Sequence, residues 1–367
     1  MSPDPPGVTE AAAQNAWRPA GVLAQADRAV PALVAAAIAI VVEVFALWAR
    51  ALPLEFAHWD AIHYLFLAQY GYPSHLDPRD AFFPGYPMLV RAAMFIVPDP
   101  LKAALAVSAA SAVVACWSVG KLVEEELGDR AAGSFAAWLL VFFPGAFFMF
   151  APYSEAPFVA SAALCAYLAR RGGLGWATLA GTVACAVRPV GGALALVLLV
   201  EALRQRRWRA AALAGAVLLP ILAFFAYLGL HAGDFWAYPH SEAGPSFGIT
   251  FAWPWTAALA SWNAGGPYLD SIYRPAVVLG LAGAAVTTVA LVARRIPLSL
   301  GLYCAATVLV SLAESNWRSA VRYDLALFPL LIPIAAWTAG RVGTRTALLA
   351  AGASAFAFSA AVYAVGG

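Results

Sequence analysis

The chain has 367 residues, of which 63% are hydrophobic and 11% charged, with a formal net charge of +2 and a mean hydropathy of +0.76. Soluble domains carry about 25% charged residues, so this much apolar surface exceeds what one water-soluble core buries, and lipid must solvate part of it. A net charge this small gives no electrostatic argument for nucleic acid as a partner.

Residues 1–28, beginning MSPDPPGVTEAAAQNAWRPAG, are rich in Pro, Ala and polar groups. They lack the basic start and cleavage site of a signal peptide and read as a disordered cytoplasmic tail. Residues 29–367 then form a single membrane domain. Its first apolar run, 30–48, is an uncleaved span, and Glu43 inside it is unexplained unless it pairs with an Arg in the bundle. Further apolar runs fall at 101–123, 131–150, 156–169, 174–187, 190–203, 210–230, 273–292, 297–313, 325–340 and 346–365. The expected fold is therefore all-α and polytopic, with about eleven transmembrane helices. The runs 174–187 and 190–203 are short for a bilayer of roughly 30 Å and fit half-depth helices beside a cavity.

Cys116, Cys165, Cys185 and Cys304 all lie inside apolar runs with no Cys-x-x-Cys pair. They read as small core residues, not as disulfides or metal ligands. Ala is abundant and the basic residues are nearly all Arg, a composition like that of a high-GC bacterium. With the N-terminus in the cytoplasm, the inner loops hold most of the 22 Lys and Arg, densest at RQRRWR (204–209). That bias sets the expected orientation. The outer side then carries two long aromatic loops, 51–100 and 231–272. Interfacial helices are expected in the first, at about 61–70 and 84–96.

The most informative stretch is HWDAIHYLFLAQYGYP (58–73), followed by AFFPGYPMLVR (81–91). Asp60 stands at a membrane edge, where an ionised group is costly unless it is paired or functional. On a helix, Asp60, His63, Tyr64 and Leu67 share one face, which suits hydrogen bonding to a polyhydroxylated substrate. Further candidates are Tyr153, Ser154 and Glu155 in PYSE, Arg188 in AVRPVG, and Arg322 and Tyr323 in VRYDLALFPL. Each has a structural alternative. Asp60 could cap its helix, His63 could be an interfacial histidine, and Glu155 could oppose a helix N-terminus. Arg188 could pair with a carboxylate or snorkel, and Asp324 could pair with Arg322 or Arg318. The aromatics Trp59, Tyr64, Tyr70, Tyr72, Phe82, Phe83 and Tyr86 suit sugar or prenyl stacking, or an interfacial belt. In the second loop, Trp236, Tyr238, His240, Trp253, Trp255 and Trp262 are similarly placed. Asp60, His63, Asp77 and Asp80 match no compact metal motif, so no metal site and no cofactor are expected.

WDAIHYLFLAQYGY and AFFPGYP resemble the second mannosyltransferase of glycosylphosphatidylinositol synthesis and its bacterial relatives, the PIG-V type. In that family a Trp-Asp pair opens the first luminal loop, an aromatic Gly-Tyr follows, and AFFP-x-YP closes it. FFPGAFFMFAPYSEAPF (142–158), AVRPVG and VRYDLALFPL agree in order, so the resemblance runs from Trp59 to about Pro333. It implies a C-type membrane glycosyltransferase in a bacterial plasma membrane with its active site on the outer face. The implied donor is polyprenyl-phosphate mannose, the acceptor an outer-face lipid or glycan, and Asp60 the catalytic base. A bacterial chain serves no glycosylphosphatidylinositol pathway, so the family's acceptor does not carry over. Nucleotide sugars are cytoplasmic, which also favours a lipid-carried donor.

Transfer from a sugar phosphate needs a base for the acceptor proton and cations for the departing charge. Arg188 and Arg322 are the phosphate candidates. Attack opposite the leaving group inverts the anomeric centre. Alternatives are a C-type transferase using lipid-linked glucose or arabinose, a transporter or flippase, and a non-catalytic partner subunit. No related halves of a transporter are evident.

Overall fold

The computed structural model describes residues 57–264 and 270–365, together with residues 31, 33, 34 and 36–38. The expected tail, Glu43 and most of the first expected span lie outside the described residues. Regular structure among the described residues is helical, with one isolated antiparallel bridge between Phe251 and Glu314.

Helices form where the two interfacial ones were expected, as α1 (Asp60–Tyr70) and α2 (Gly85–Ala93). Between them, Pro78–Ala81 makes a 3-10 turn with a reciprocal cap. Asp77 accepts from the Arg79 N–H, and Asp80 accepts from the Asp77 N–H. The two loop aspartates thus satisfy backbone donors. Next, α3 (Pro100–Leu127) starts with Asp99 accepting from the Lys102 N–H and Pro100 in the first turn, and stops at Gly128 with φ 63°. These are standard start and stop signals.

The remaining helices are α4 (Arg130–Val141), α5 (Glu155–Arg170), α6 (Leu174–Val187), α7 (Leu194–Arg204), α8 (Trp208–Ala216) and α9 (Leu219–His231). After them come α10 (Ala237–Ala243), α11 (Pro254–Asn263), α12 (Asp270–Val292), α13 (Leu298–Leu312), α14 (Ala320–Tyr323), α15 (Leu331–Trp337) and α16 (Val342–Val365). Among the described residues, five stretches are long and apolar enough to cross a membrane: Pro100–Leu127, Trp208–His231, Arg274–Val292, Ala320–Trp337 and Val342–Tyr363. Arg130–Val141, Leu174–Val187 and Leu298–Leu312 are shorter apolar helices.

Several expected boundaries move, and most do so at proline. The run 131–150 stops as a helix at Val141, and after Pro144 it resumes as the 3-10 turn Ala146–Met149. The run 190–203 opens with the 3-10 turn Pro189–Ala193. The run 325–340 holds the 3-10 segment Asp324–Leu330, with Pro329 inside, before α15. Proline removes a backbone donor and disfavours helix in the preceding residue.

Small residues let the helices approach closely, the usual basis of packing where lipid surrounds a bundle. Ala103, Ala104, Ala112 and Ala115 of α3 and Ala156, Ala160, Ala162, Ala163, Ala166 and Ala169 of α5 are buried. α3 packs on α4 and α5, α5 on α6, and α7 on α13. The four cysteines are buried in these helices, and none forms a disulfide among the described residues.

One end of α5 is stapled by charge. Arg170 donates to Glu126 of α3 and, at 2.8 Å, to Glu201 of α7. Glu201 also accepts from Arg204 and from the Ser299 hydroxyl of α13, each at 2.7 Å, and its side chain is 1% exposed. Removing one partner of a buried pair strands the other charge. Glu201→Ala is therefore expected to lose about 3–5 kcal/mol, read as a fall in Tm in lipid nanodiscs. A variant as stable as wild type would show the staple to be dispensable.

Candidate active site

At the other end of α5, a cavity of about 1880 Å3 opens among α1, α5, α10, α16 and the segment leading into α14. Asp60, His63, Tyr64, Tyr153, Glu155, Arg188, Arg322 and Tyr323, all singled out from sequence, line it together.

Asp60 is the first residue of α1, and Trp59 takes the cap position with no side-chain cap bond. The Asp60 carboxylate therefore serves elsewhere: its Oδ2 accepts from Arg322 Nη1 at 2.7 Å. The backbone just before it is held from two sides. The His58 N–H donates to Tyr363 Oη at 3.2 Å, and Tyr153 Oη donates to the His58 carbonyl at 3.1 Å. Trp59 itself sits at φ 51°, ψ −120°, a strained conformation for a bulky residue and of the kind that persists at functional sites when neighbours hold it.

Glu155 begins α5, and its side chain is 2% exposed. Its Oε1 accepts from Arg188 Nη1 at 2.8 Å and lies 3.6 Å from Arg322 Nη1. Asp60, Arg322, Glu155 and Arg188 thus form a row of alternating charge with zero net charge. Arg322 Nη2 donates to Ser319 Oγ at 2.8 Å. Aromatic rings complete the cradle. The Arg188 guanidinium lies 4.9 Å from the Tyr323 ring, and that of Arg322 lies 5.2 Å from Tyr153 and 5.3 Å from Phe148. Ring faces attract such cations without using their N–H donors. Asp324 takes no part and lies against Gly283 of α12.

Two copies of FFPG, at 82–85 and 142–145, bring the arginines into place. A Cβ on Gly85 would lie 2.6 Å from the Ala186 carbonyl, two residues before Arg188. One on Gly145 would lie 2.1 Å from the Val321 carbonyl oxygen, next to Arg322. Only glycine permits these approaches. Arg188 leaves α6 in extended conformation, φ −148° and ψ 137°, as the following Pro189 demands.

Tyr64 donates to Ser154 Oγ at 2.9 Å, and burial pushes its phenol far above the usual range, so it stays protonated. His63 stacks on Phe82 with ring centroids 4.9 Å apart. Burial pushes its imidazole below the usual value against the upward pull of Asp60, so it is neutral at pH 7. Several other aromatics pack the protein. Tyr86 donates to the Ala104 carbonyl and contacts Ser108, Tyr72 donates to the Phe82 carbonyl, and Phe83 packs on Phe224. Trp236, Trp253, Trp255 and Trp262 are exposed, and His240 pairs with Asp234 at the surface. Tyr238 lines the cavity.

Glu242 of α10 and Glu314 also line the cavity, and sequence reading passed over both. Burial pushes Glu242 up to about 7, with Asp60 adding to the rise. It pushes Glu314 up to about 8, helped by Glu242. The available signal was two carboxylates beside aromatic outer-loop segments.

Among the described residues, a helical bundle with apolar spans surrounds a large cavity of paired carboxylates and guanidiniums, the build of a membrane protein. The family model described as Mannosyltransferase (PIG-V) matches residues 22–188. Over that segment, which is under half of the chain, the protein is similar to mannosyltransferases of the PIG-V type. The matched segment includes Asp60, Glu155 and, at its end, Arg188, while Arg322 and Tyr323 lie beyond it. No curated protein matches the chain.

Gly145→Ala is expected to displace Arg322, costing about 1–3 kcal/mol by overpacking and most of the transfer activity. Gly175→Ala, where a Cβ meets nothing within 4 Å, is expected to be neutral or stabilising by up to about 1 kcal/mol. Thermal unfolding and a transfer assay on both variants check this.

A second expectation concerns pH. Carboxyls whose folded values lie above the ordinary 4.5 hold protons in the folded state that the unfolded chain has released. Their contribution to stability therefore falls as pH rises from about 4.5 to about 8. Tm measured from pH 5 to 8 should fall more steeply for wild type than for Glu242→Gln/Glu314→Gln. Equal slopes would mean that both groups ionise normally.

Proposed function

We propose that this cavity is the active site of a C-type mannosyltransferase. In this reading it moves mannose from polyprenyl-phosphate mannose to a hydroxyl of an outer-face lipid or glycan, in a bacterial plasma membrane with the N-terminus cytoplasmic. The observation that carries the proposal is Arg322 bridging Asp60 and Glu155 inside the cavity, with Arg188 on the far side of Glu155.

The chemistry follows from that row. Before substrate arrives, Arg322 holds Asp60 as an ion pair. The donor's phosphate anion competes for Arg322 and Arg188, whose forked donors suit phosphate oxygens. As Arg322 turns to the phosphate, Asp60 is released toward the acceptor hydroxyl. The acceptor hydroxyl then attacks C1 of mannose while Asp60 takes its proton. The C1–O bond to phosphorus breaks, and polyprenyl phosphate leaves with the electron pair, its added charge met by the two guanidiniums. Attack from the face opposite the phosphate gives inversion, so a β-linked donor yields an α-mannoside. No step calls for a metal. His63, Tyr64, Tyr153 and Tyr323 serve as substrate contacts or supports around the reacting centre.

The test uses purified protein in lipid, radiolabelled polyprenyl-phosphate mannose, and a crude lipid and glycan extract of the source cell. Asp60→Asn should lower transfer by about 100- to 10,000-fold while donor still binds. Arg322→Lys should raise the donor KM by about tenfold or more. Equal transfer by Asp60→Asn would remove it as the base. Donor that fails to bind wild type would move the assignment to another lipid-linked sugar, such as glucose or arabinose, or to a transporter.

A further inference from the structure

Trp59 takes φ 51° and ψ −120°. These are the angles of the first central residue of a type II′ turn, a place that glycine dominates because a side chain there is strained. The turn closes accordingly: the Ala61 N–H donates to the His58 carbonyl at 3.1 Å. The bulkiest side chain thus stands where none is wanted, immediately before Asp60. A relaxed start is open to this sequence. Asp is among the best residues for the cap position of a helix, where its carboxylate accepts from N–H groups of the first turn. With Trp59 extended, α1 would open one residue later and Asp60 would be its cap. The carboxylate would then be spent on the Ile62 or His63 N–H. In the structure the cap position belongs to Trp59, and Asp60 reaches Arg322 instead.

Strained backbone persists only where its surroundings over-determine it, and here two tyrosines do so. Tyr363 Oη accepts from the His58 N–H, and Tyr153 Oη donates to the His58 carbonyl. The Tyr363 ring also stands edge-on to two neighbours, with centroids 5.5 Å from Trp59 and 5.2 Å from His58. Tyr153 lines the cavity. Tyr363 is fully buried and lies outside the set of residues that line it, so Tyr363 acts on the turn without reaching substrate.

We infer that Tyr363 is a positioning residue: by holding the turn at Trp59 in its strained form, it keeps Asp60 from capping α1 and leaves the carboxylate to the cavity. The role of Asp60 in this rests on the transferase reading above. The clamp matters most once Arg322 has turned to the donor phosphate. The released carboxylate then has two places to go, the acceptor hydroxyl and the N-terminus of its own helix, whose unpaired N–H groups and dipole attract an anion. A turn fixed from α16 closes the second route.

Tyr363→Phe removes one oxygen and keeps the ring. In the full-length protein in lipid, with radiolabelled polyprenyl-phosphate mannose, it should lower kcat by about 10- to 100-fold with the donor KM within about threefold of wild type. Trp59→Gly supplies a residue that takes positive φ without strain, so adding Tyr363→Phe to it should cost less than about threefold more. A Tyr363→Phe enzyme with wild-type kcat, or a loss as large in the Trp59→Gly background, overturns the inference. A second cycle is read on Tm without donor. In wild type, Asp60→Asn should lower Tm, because Arg322 loses its carboxylate. In Tyr363→Phe, Asp60 already caps α1 and Asn caps equally well, so the same substitution should lower Tm by less than about half as much. Equal falls in the two backgrounds overturn the inference. If Tyr363→Phe does not fold, Tyr153→Phe, which opens the clamp from the carbonyl side, takes its place in the Tm cycle. Wild type that transfers no mannose, with the Tm cycle as expected, refutes the transferase reading and leaves the clamp standing.

Discussion

The site depends on one constraint: two carboxylates and two guanidiniums are removed from bulk water and must neutralise one another. Taking each ion out of water costs several kcal/mol, and the cost is tolerable only with close partners. Arg322 meets it by standing 2.7 Å from Asp60 and 3.6 Å from Glu155, with Arg188 2.8 Å from Glu155. Satisfying these contacts brings together α1, the start of α5, the end of α6 and α14. The glycines of the two FFPG turns, the extended backbone at Arg188 and the rings under both guanidiniums all serve that convergence.

The way the arginines are held also matters for function. Aromatic faces occupy the flat surfaces of the guanidiniums, and carboxylates take only part of their edges. Each cation is fixed in position while keeping hydrogen-bonding capacity for an anion. Had Arg322 been held wholly by carboxylates, its charge would be saturated and phosphate would have little to gain.

The members of this row were legible one by one because charge stands out against an apolar background. Asp60, Glu155, Arg188 and Arg322 each drew notice for that reason. What the sequence hid was that they are one another's partners, since Asp60 and Arg322 lie 262 positions apart. Glu242 and Glu314 escaped because they occur in polar loop sequence, where a carboxylate offers no contrast. The helical class and the helices α1 and α2 were readable from hydropathy and aromatic content. The backbone breaks at Pro144, Pro189 and Pro329 were not, because an average of apolarity is blind to whether the chain is α-helical or 3-10. The prolines themselves were the cue, and reading them as stops would have placed those boundaries more nearly right.

The hydrogen bond from the His58 N–H to Tyr363 has a consequence for biosynthesis. The residues it joins are 305 positions apart, and the later one belongs to α16. At ordinary ribosomal rates, roughly 15 to 60 s separate the synthesis of the two. Through that interval the peptide ahead of Asp60 lacks the phenol that fixes it, however early α1 reaches the membrane. Insertion of most helices and assembly of the cavity are therefore separate events, and the second awaits the arrival of α16. A nascent chain of this protein is a helical bundle first and a finished cavity only once α16 has been made.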